Sequence, residues 1–95
     1  MEFEFTGIAI EWRGPAPFVF LPVPPDEAAM IAELASELTY GWGCIPAQAV
    51  IGGTTFTTSL FPREGGYLLP VKVAVQRAEG VGVGDQMTAR MRLGR

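Results

Sequence analysis

Apolar residues recur along most of this chain at every second position, the period of a strand with one buried face. Glu2-Phe3-Glu4-Phe5 sets phenylalanines on one face and glutamates on the other. Past Thr6-Gly7 the apolar set becomes Ile8, Ile10 and Trp12, which is the opposite parity. A period of two cannot change parity without an extra residue, so the pattern predicts a β-bulge or bend near Gly7. Arg13-Gly14-Pro15 is turn chemistry, and Phe18-Val19-Phe20-Leu21 reads as a short second strand in a hairpin with the first.

The period then changes. Pro24-Pro25-Asp26-Glu27 suits the first turn of a helix, where proline is tolerated and acids complement the dipole. Met30, Ile31, Leu34, Ala35 and Leu38 follow at helical spacing, and Gly41 stands where a C-terminal cap belongs. The spacing predicts one helix over about residues 25–38.

Alternation returns with Ile45, Ala47, Ala49 and Ile51. Gly52-Gly53 marks a tight hairpin, and Thr54 to Phe61 is the returning strand, with Phe56 and Leu60 facing inward. Pro62 to Gly66 reads as a loop. Tyr67 to Arg77 is the next strand, with Val71, Val73 and Val75 on one parity, and Pro70 restricts its start to an edge or a break. Gly80 to Asp85 is a turn, and Met87, Ala89, Met91 and Leu93 form the inward side of a last strand. Six short strands punctuated by turns, with one helix, argue for a small, mainly β barrel occupying residues 1–95 as one domain.

Charge refines this picture. Through Gln48 there are seven acids and one base; from Ala49 onward there are three acids and six bases. A barrel that places the first strand beside the last would pair Glu2 and Glu4 with Arg90 and Arg92 across the strands. The net charge of −3 disfavours a nucleic-acid surface. No run approaches the ~20 apolar residues of a membrane span, and the acidic N-terminus has the wrong sign for a signal peptide. The expectation is a cytoplasmic protein without a membrane partner.

Composition removes several chemistries. The chain has no histidine and one cysteine, Cys44, which excludes a Ser-His-Asp triad, an intramolecular disulfide and a cysteine-cluster zinc site. Gly80-x-Gly82-x-Gly84 lacks the G-x-G-x-x-G spacing and precedes a strand, so it reads as a turn; no cofactor is expected. Ser59 with Lys72 is the only conceivable nucleophile–base pair, and Glu33 with Glu37 would be a weak oxygen site on a helix face. Neither makes a catalytic or metal centre. More informative are Trp12, Tyr40, Trp42, Phe61 and Tyr67, several of them in glycine- or proline-flanked segments. Such aromatics plug a barrel's ends or line a binding pocket. The candidate binding set is Trp42, Phe61 and Tyr67 with Lys72 and Arg77, and Arg63 as a further cation.

Tyr40-Gly41-Trp42-Gly43, Ile51-Gly52-Gly53, Thr58-Ser59-Leu60-Phe61-Pro62, Gly66-Tyr67, Leu69-Pro70-Val71-Lys72, Arg77-Ala78-Glu79-Gly80 and Gly84-Asp85 occur together in this order. The combination resembles a family of small prokaryotic double-split β-barrel domains classed as a domain of unknown function, found alone or fused to a bacteriocin-protection-type domain. Members often carry a basic residue where this chain has Gln76. The resemblance implies the fold and carries no activity or catalytic residue. The architecture is also similar to that of AbrB-type regulators, which bind DNA as swapped dimers.

The sequence therefore leads to a non-enzymatic module, monomeric or homodimeric, that binds a protein or small ligand. The alternatives are nucleic-acid binding through Lys72, Arg77, Arg90 and Arg92, or an enzyme using Glu64, Glu79 or Lys72.

Overall fold

A computed structural model of the chain describes residues 2–12, 18–38 and 43–94, with side chains at all of these except 36–38. The expected turn at Arg13-Gly14-Pro15 and the Gly41 cap lie outside the described residues. Within them the elements are β1 (Glu2–Ile8), β2 (Ile10–Trp12), β3 (Phe18–Pro22), α1 (Pro25–Leu38), β4 (Ile45–Ile51), β5 (Thr54–Arg63), β6 (Gly66–Pro70), α2 (Val73–Glu79) and β7 (Gln86–Leu93). All strand pairs are antiparallel, in the order β1-β7-β4-β5-β6-β3-β2.

The two ends of that order are consecutive in the chain. One segment, residues 2–12, pairs with β7 through its first half and with β3 through its second. Strand β5 does the same on the far side: Thr54 to Leu60 ladders with β4, and Phe61 to Arg63 with β6. Two bent strands thus serve both halves of a curled sheet, and the result is a small β-barrel. β1 also passes close to β3: a Cβ built on Gly7 would lie 3.2 Å from the Pro22 carbonyl oxygen.

The bend in the first strand corrects the expectation drawn at Gly7. The ladder runs regularly through Gly7↔Met87 to Ile8↔Gln86. The break comes at Ala9, whose N–H donates to the Asp85 carbonyl at 3.0 Å while its own carbonyl accepts from Gly84 N–H at 2.9 Å. Two residues facing one, with Gly84 at φ +89°, form a glycine-first bulge located on the partner strand. A turn carries it: Asp85 N–H donates to the Gly82 carbonyl at 3.1 Å, and Gly82 N–H donates to Asp85 Oδ2 at 2.8 Å. Asp85 thus holds the local backbone. Because the first strand divides at Ala9, there are seven strands where six were expected.

The second correction is α2. The Val71-x-Val73-x-Val75 alternation was expected to continue a strand to Arg77, yet β6 ends at Pro70 and residues 73–79 are helical. Val71 and Val75 are buried, but Val73 is 57% exposed. Spacing i, i+4 satisfies both periods, and Ala74, Gln76, Arg77, Ala78 and Glu79 are unbranched at Cβ or small, which favours the helix. Gly80 closes it in the left-handed conformation. Gln76 Nε2 donates to the Val71 carbonyl at 2.9 Å, and the Glu79 carboxylate accepts from Thr54 Oγ1 at 2.5 Å, tying α2 to the start of β5.

Helix α1 has the expected bounds, with Asp26 and Glu27 in its first turn. Its inward residues include Ala28 and Ile31; Met30, expected on that face, points outward. The barrel interior alternates small and large residues across the strands. One row reads Phe3, Met91, Ala49, Phe56, and the next reads Phe5, Ala89, Ile51. All seven are buried. Alanine opposite bulky neighbours is what a narrow cylinder requires. On the outer face Glu2 lies opposite Arg92, with Nη2 and Oε2 3.6 Å apart, and Glu4 lies opposite Arg90. Two of the seven acids in the first half of the sequence thus face arginines of the second half on the neighbouring strand.

The bulge makes a paired prediction. Gly84→Ala forces a side chain into left-handed backbone and is expected to cost about 1–2 kcal/mol. Gly82→Ala, at a position with open space and ordinary φ, is expected to stay within about 0.5 kcal/mol. Urea unfolding of both variants checks the contrast.

Candidate functional site

The outward face of β2, β3, β6 and the end of β5 is apolar. Strand pairing places residues on it: Trp12 opposite Phe18, Ile10 opposite Phe20, Phe20 opposite Pro70, and Phe61 opposite Leu68. Alternate residues Val19, Leu21, Tyr67 and Leu69 take the other side, toward the core. Both sides of this half of the sheet are therefore apolar, and only one is covered by the barrel's own interior.

Within that face lies a groove of about 290 Å³. Its floor is Phe20 and Leu68, both buried. Its walls are Trp12, Phe18 and Phe61, which are 40%, 55% and 46% exposed. Phe61 meets Phe20 edge-on, with centroids 6.1 Å apart and planes at 86°, and Phe18 is tilted against Phe20 at 6.2 Å. These are the arrangements aromatic quadrupoles favour, so the walls hold one another in place. Pro62 and Arg63 form one rim. The Arg63 guanidinium carbon lies 3.9 Å from the centroid of the Trp12 ring, a cation–π stack. Its Nε is 3.9 Å from Glu64 Oε1, with both side chains well exposed, so that ion pair is loose.

The sequence candidates fall in different places. Phe61 is in the groove. Tyr67 is buried on the opposite side of β6, its backbone carbonyl accepting from Val23 N–H at 3.0 Å. It borders a second cleft, which shares Pro62 and Arg63 with the first. Lys72, at the entry to α2, lines a third with Val73 and Gln76, and Phe18 is common to that cleft and the aromatic groove. Arg77 is exposed in the last turn of α2. Trp42 lies outside the described residues. Trp12 was among the aromatics singled out in the sequence but not in the candidate binding set, and Phe18 and Phe20 were in neither. The signal for them was the parity of Ile8, Ile10 and Trp12, taken as a displaced core face when it is an outward apolar one.

The titratable groups considered for catalysis are dispersed. Lys72 and Glu79 flank opposite ends of α2, about 10 Å apart along its axis. Glu79 is engaged by Thr54, and Glu64 sits in the β5–β6 turn. Among the described residues no group of three or more Asp, Glu, Cys or His side chains could hold a metal ion. No helix among them is long and apolar enough to cross a membrane.

A curled seven-stranded sheet with one aromatic groove on its outer surface defines a class of small β-barrel domain. The chain belongs to the family described as Domain of unknown function (DUF1905), whose model matches residues 5–91. That span includes β5, the first bent strand from Phe5 onward, and every groove residue. No curated protein matches the chain.

Groove wall and core should separate on mutation. Phe18→Gln is expected to change stability by no more than about 0.5–1 kcal/mol, because the ring is already half in water. Phe20→Ala removes a buried ring and is expected to cost about 3 kcal/mol or more. Chemical denaturation of the two variants measures the difference.

Proposed function

We propose that this protein is a non-enzymatic cytoplasmic binding module and that its ligand occupies the aromatic groove. One observation carries the reading: Trp12, Phe18 and Phe61 are exposed together on a single sheet face, around an apolar floor. Isolated exposed aromatics need no explanation, but a cluster with concave shape is a surface that gains free energy on being covered. The three rings are already about half covered, so completing their burial is worth roughly 2–5 kcal/mol in all, a driving force to which polar contacts at the rim would add.

The nucleic-acid alternative has less support. Arg90 and Arg92 face Glu4 and Glu2 across the β1–β7 ladder, so phosphates would compete with carboxylates already in place.

The reading is tested by two-dimensional amide and aromatic NMR during a screen of metabolites, fragments and short peptides. Hits are expected to shift the Trp12 indole and the Phe18, Phe61 and Leu68 resonances, with little dependence on salt. Shifts concentrated on Arg90 and Arg92 and abolished by salt would transfer the function to a phosphate-bearing partner. A screen without perturbation in the groove would contradict the proposal.

A further inference from the structure

The groove's chemistry narrows the ligand, on the premise that the groove is the binding site. Its walls are ring faces and edges, which reward a planar aromatic body over an aliphatic chain beyond the area covered. Its volume, about 290 Å³, is at the small end of ligand pockets and suits one or two rings.

The sign of the ligand's charge follows from Arg63. An aromatic cage would ordinarily attract an ammonium group, and tryptophan is the best ring for that purpose. Here the Trp12 ring is already stacked by a guanidinium at 3.9 Å, which would repel an incoming cation. A cation–π contact does not use up the guanidinium's five N–H donors, whose fork suits planar recognition of a carboxylate. Glu64 Oε1 is 3.9 Å from Nε, beyond hydrogen-bonding distance, and the Glu64 side chain is 84% exposed. A ligand carboxylate can therefore take those donors without breaking a buried contact. Arg63 is the one charged side chain lining the groove among the described residues.

We infer that the groove binds a small aromatic carboxylate, its ring between Trp12, Phe18 and Phe61 and its carboxylate on the Arg63 guanidinium. The test titrates three matched probes, 2-naphthoate, 2-naphthamide and 2-naphthylmethylammonium, into the protein and into Arg63→Gln, followed by amide and indole NMR shifts. The spectra also report that the variant is folded. The expected result is binding in the order carboxylate, carboxamide, ammonium, with the acid about 10-fold tighter than the amide, the scale of a charge-assisted hydrogen bond. In Arg63→Gln that gap should close while the amide still shifts Phe18 and Phe61. Equal affinity of acid and amide, or a gap that survives Arg63→Gln, would overturn the acid preference while leaving the groove as a binding site. If no probe moves Trp12, Phe18 or Phe61, both the preference and the site fail. A concentration-dependent dimer by light scattering that Phe18→Ser dissolves would assign the groove to a second copy of this chain and overturn the proposal.

Discussion

Everything in this fold depends on one backbone constraint: residues 2–12 must belong to both ends of the sheet at once. Seven strands in the order β1-β7-β4-β5-β6-β3-β2 would leave two unpaired edges if the first and last were separate pieces of chain. Because they are joined at Ala9, pairing passes from β7 to β3 within one segment. Ala9 N–H donating to the Asp85 carbonyl and Gly84 N–H donating to the Ala9 carbonyl keep the backbone satisfied where the direction changes. Only a residue able to adopt positive φ permits two residues to face one there, which explains Gly84.

That constraint also creates the groove. Ile8, Ile10 and Trp12 lie on the face opposite Phe3, Phe5 and Ala9, so the apolar stripe past the bend looks outward. Phe18 and Phe20 are opposite Trp12 and Ile10 and extend the stripe, while Phe61, just past the point where β5 changes partners, completes it. Past their bends, both strands therefore deliver an aromatic, Trp12 and Phe61, to the same outer face. Exposed apolar surface of this kind lowers solubility without stabilising the core, and a covered groove resolves that conflict.

Much of the barrel was legible in the sequence. Ile45-x-Ala47-x-Ala49-x-Ile51 and Met87-x-Ala89-x-Met91-x-Leu93 alternate without interruption and are buried as the pattern requires. The pairing of Glu2 and Glu4 with arginines followed from parity and charge alone. What was not legible has local causes. Valines 71 and 75 fit a strand and a helix equally well, and Val73 decides between them only once its exposure is known. The bulge is carried by Gly84-Asp85, remote in sequence from the first strand, whose own alternation of inner and outer sides runs unbroken from Phe3 to Ile10. In the groove, Phe18-Val19-Phe20-Leu21 is apolar on both faces, so no alternation marks which side meets water. Phe61 was identified from its flanking proline, but Tyr67 shares the same loop chemistry and turns inward, since adjacent positions on paired strands alternate sides.

Amide hydrogen exchange at Ala9 tests the closure most directly. The account predicts that the Ala9 and Gly84 amides are protected together with those of the β1–β7 ladder, because the bend is part of the same hydrogen-bonded structure. An Ala9 amide that exchanges near the unprotected rate, while the amides of Phe5 and Ala89 remain slow, would contradict it.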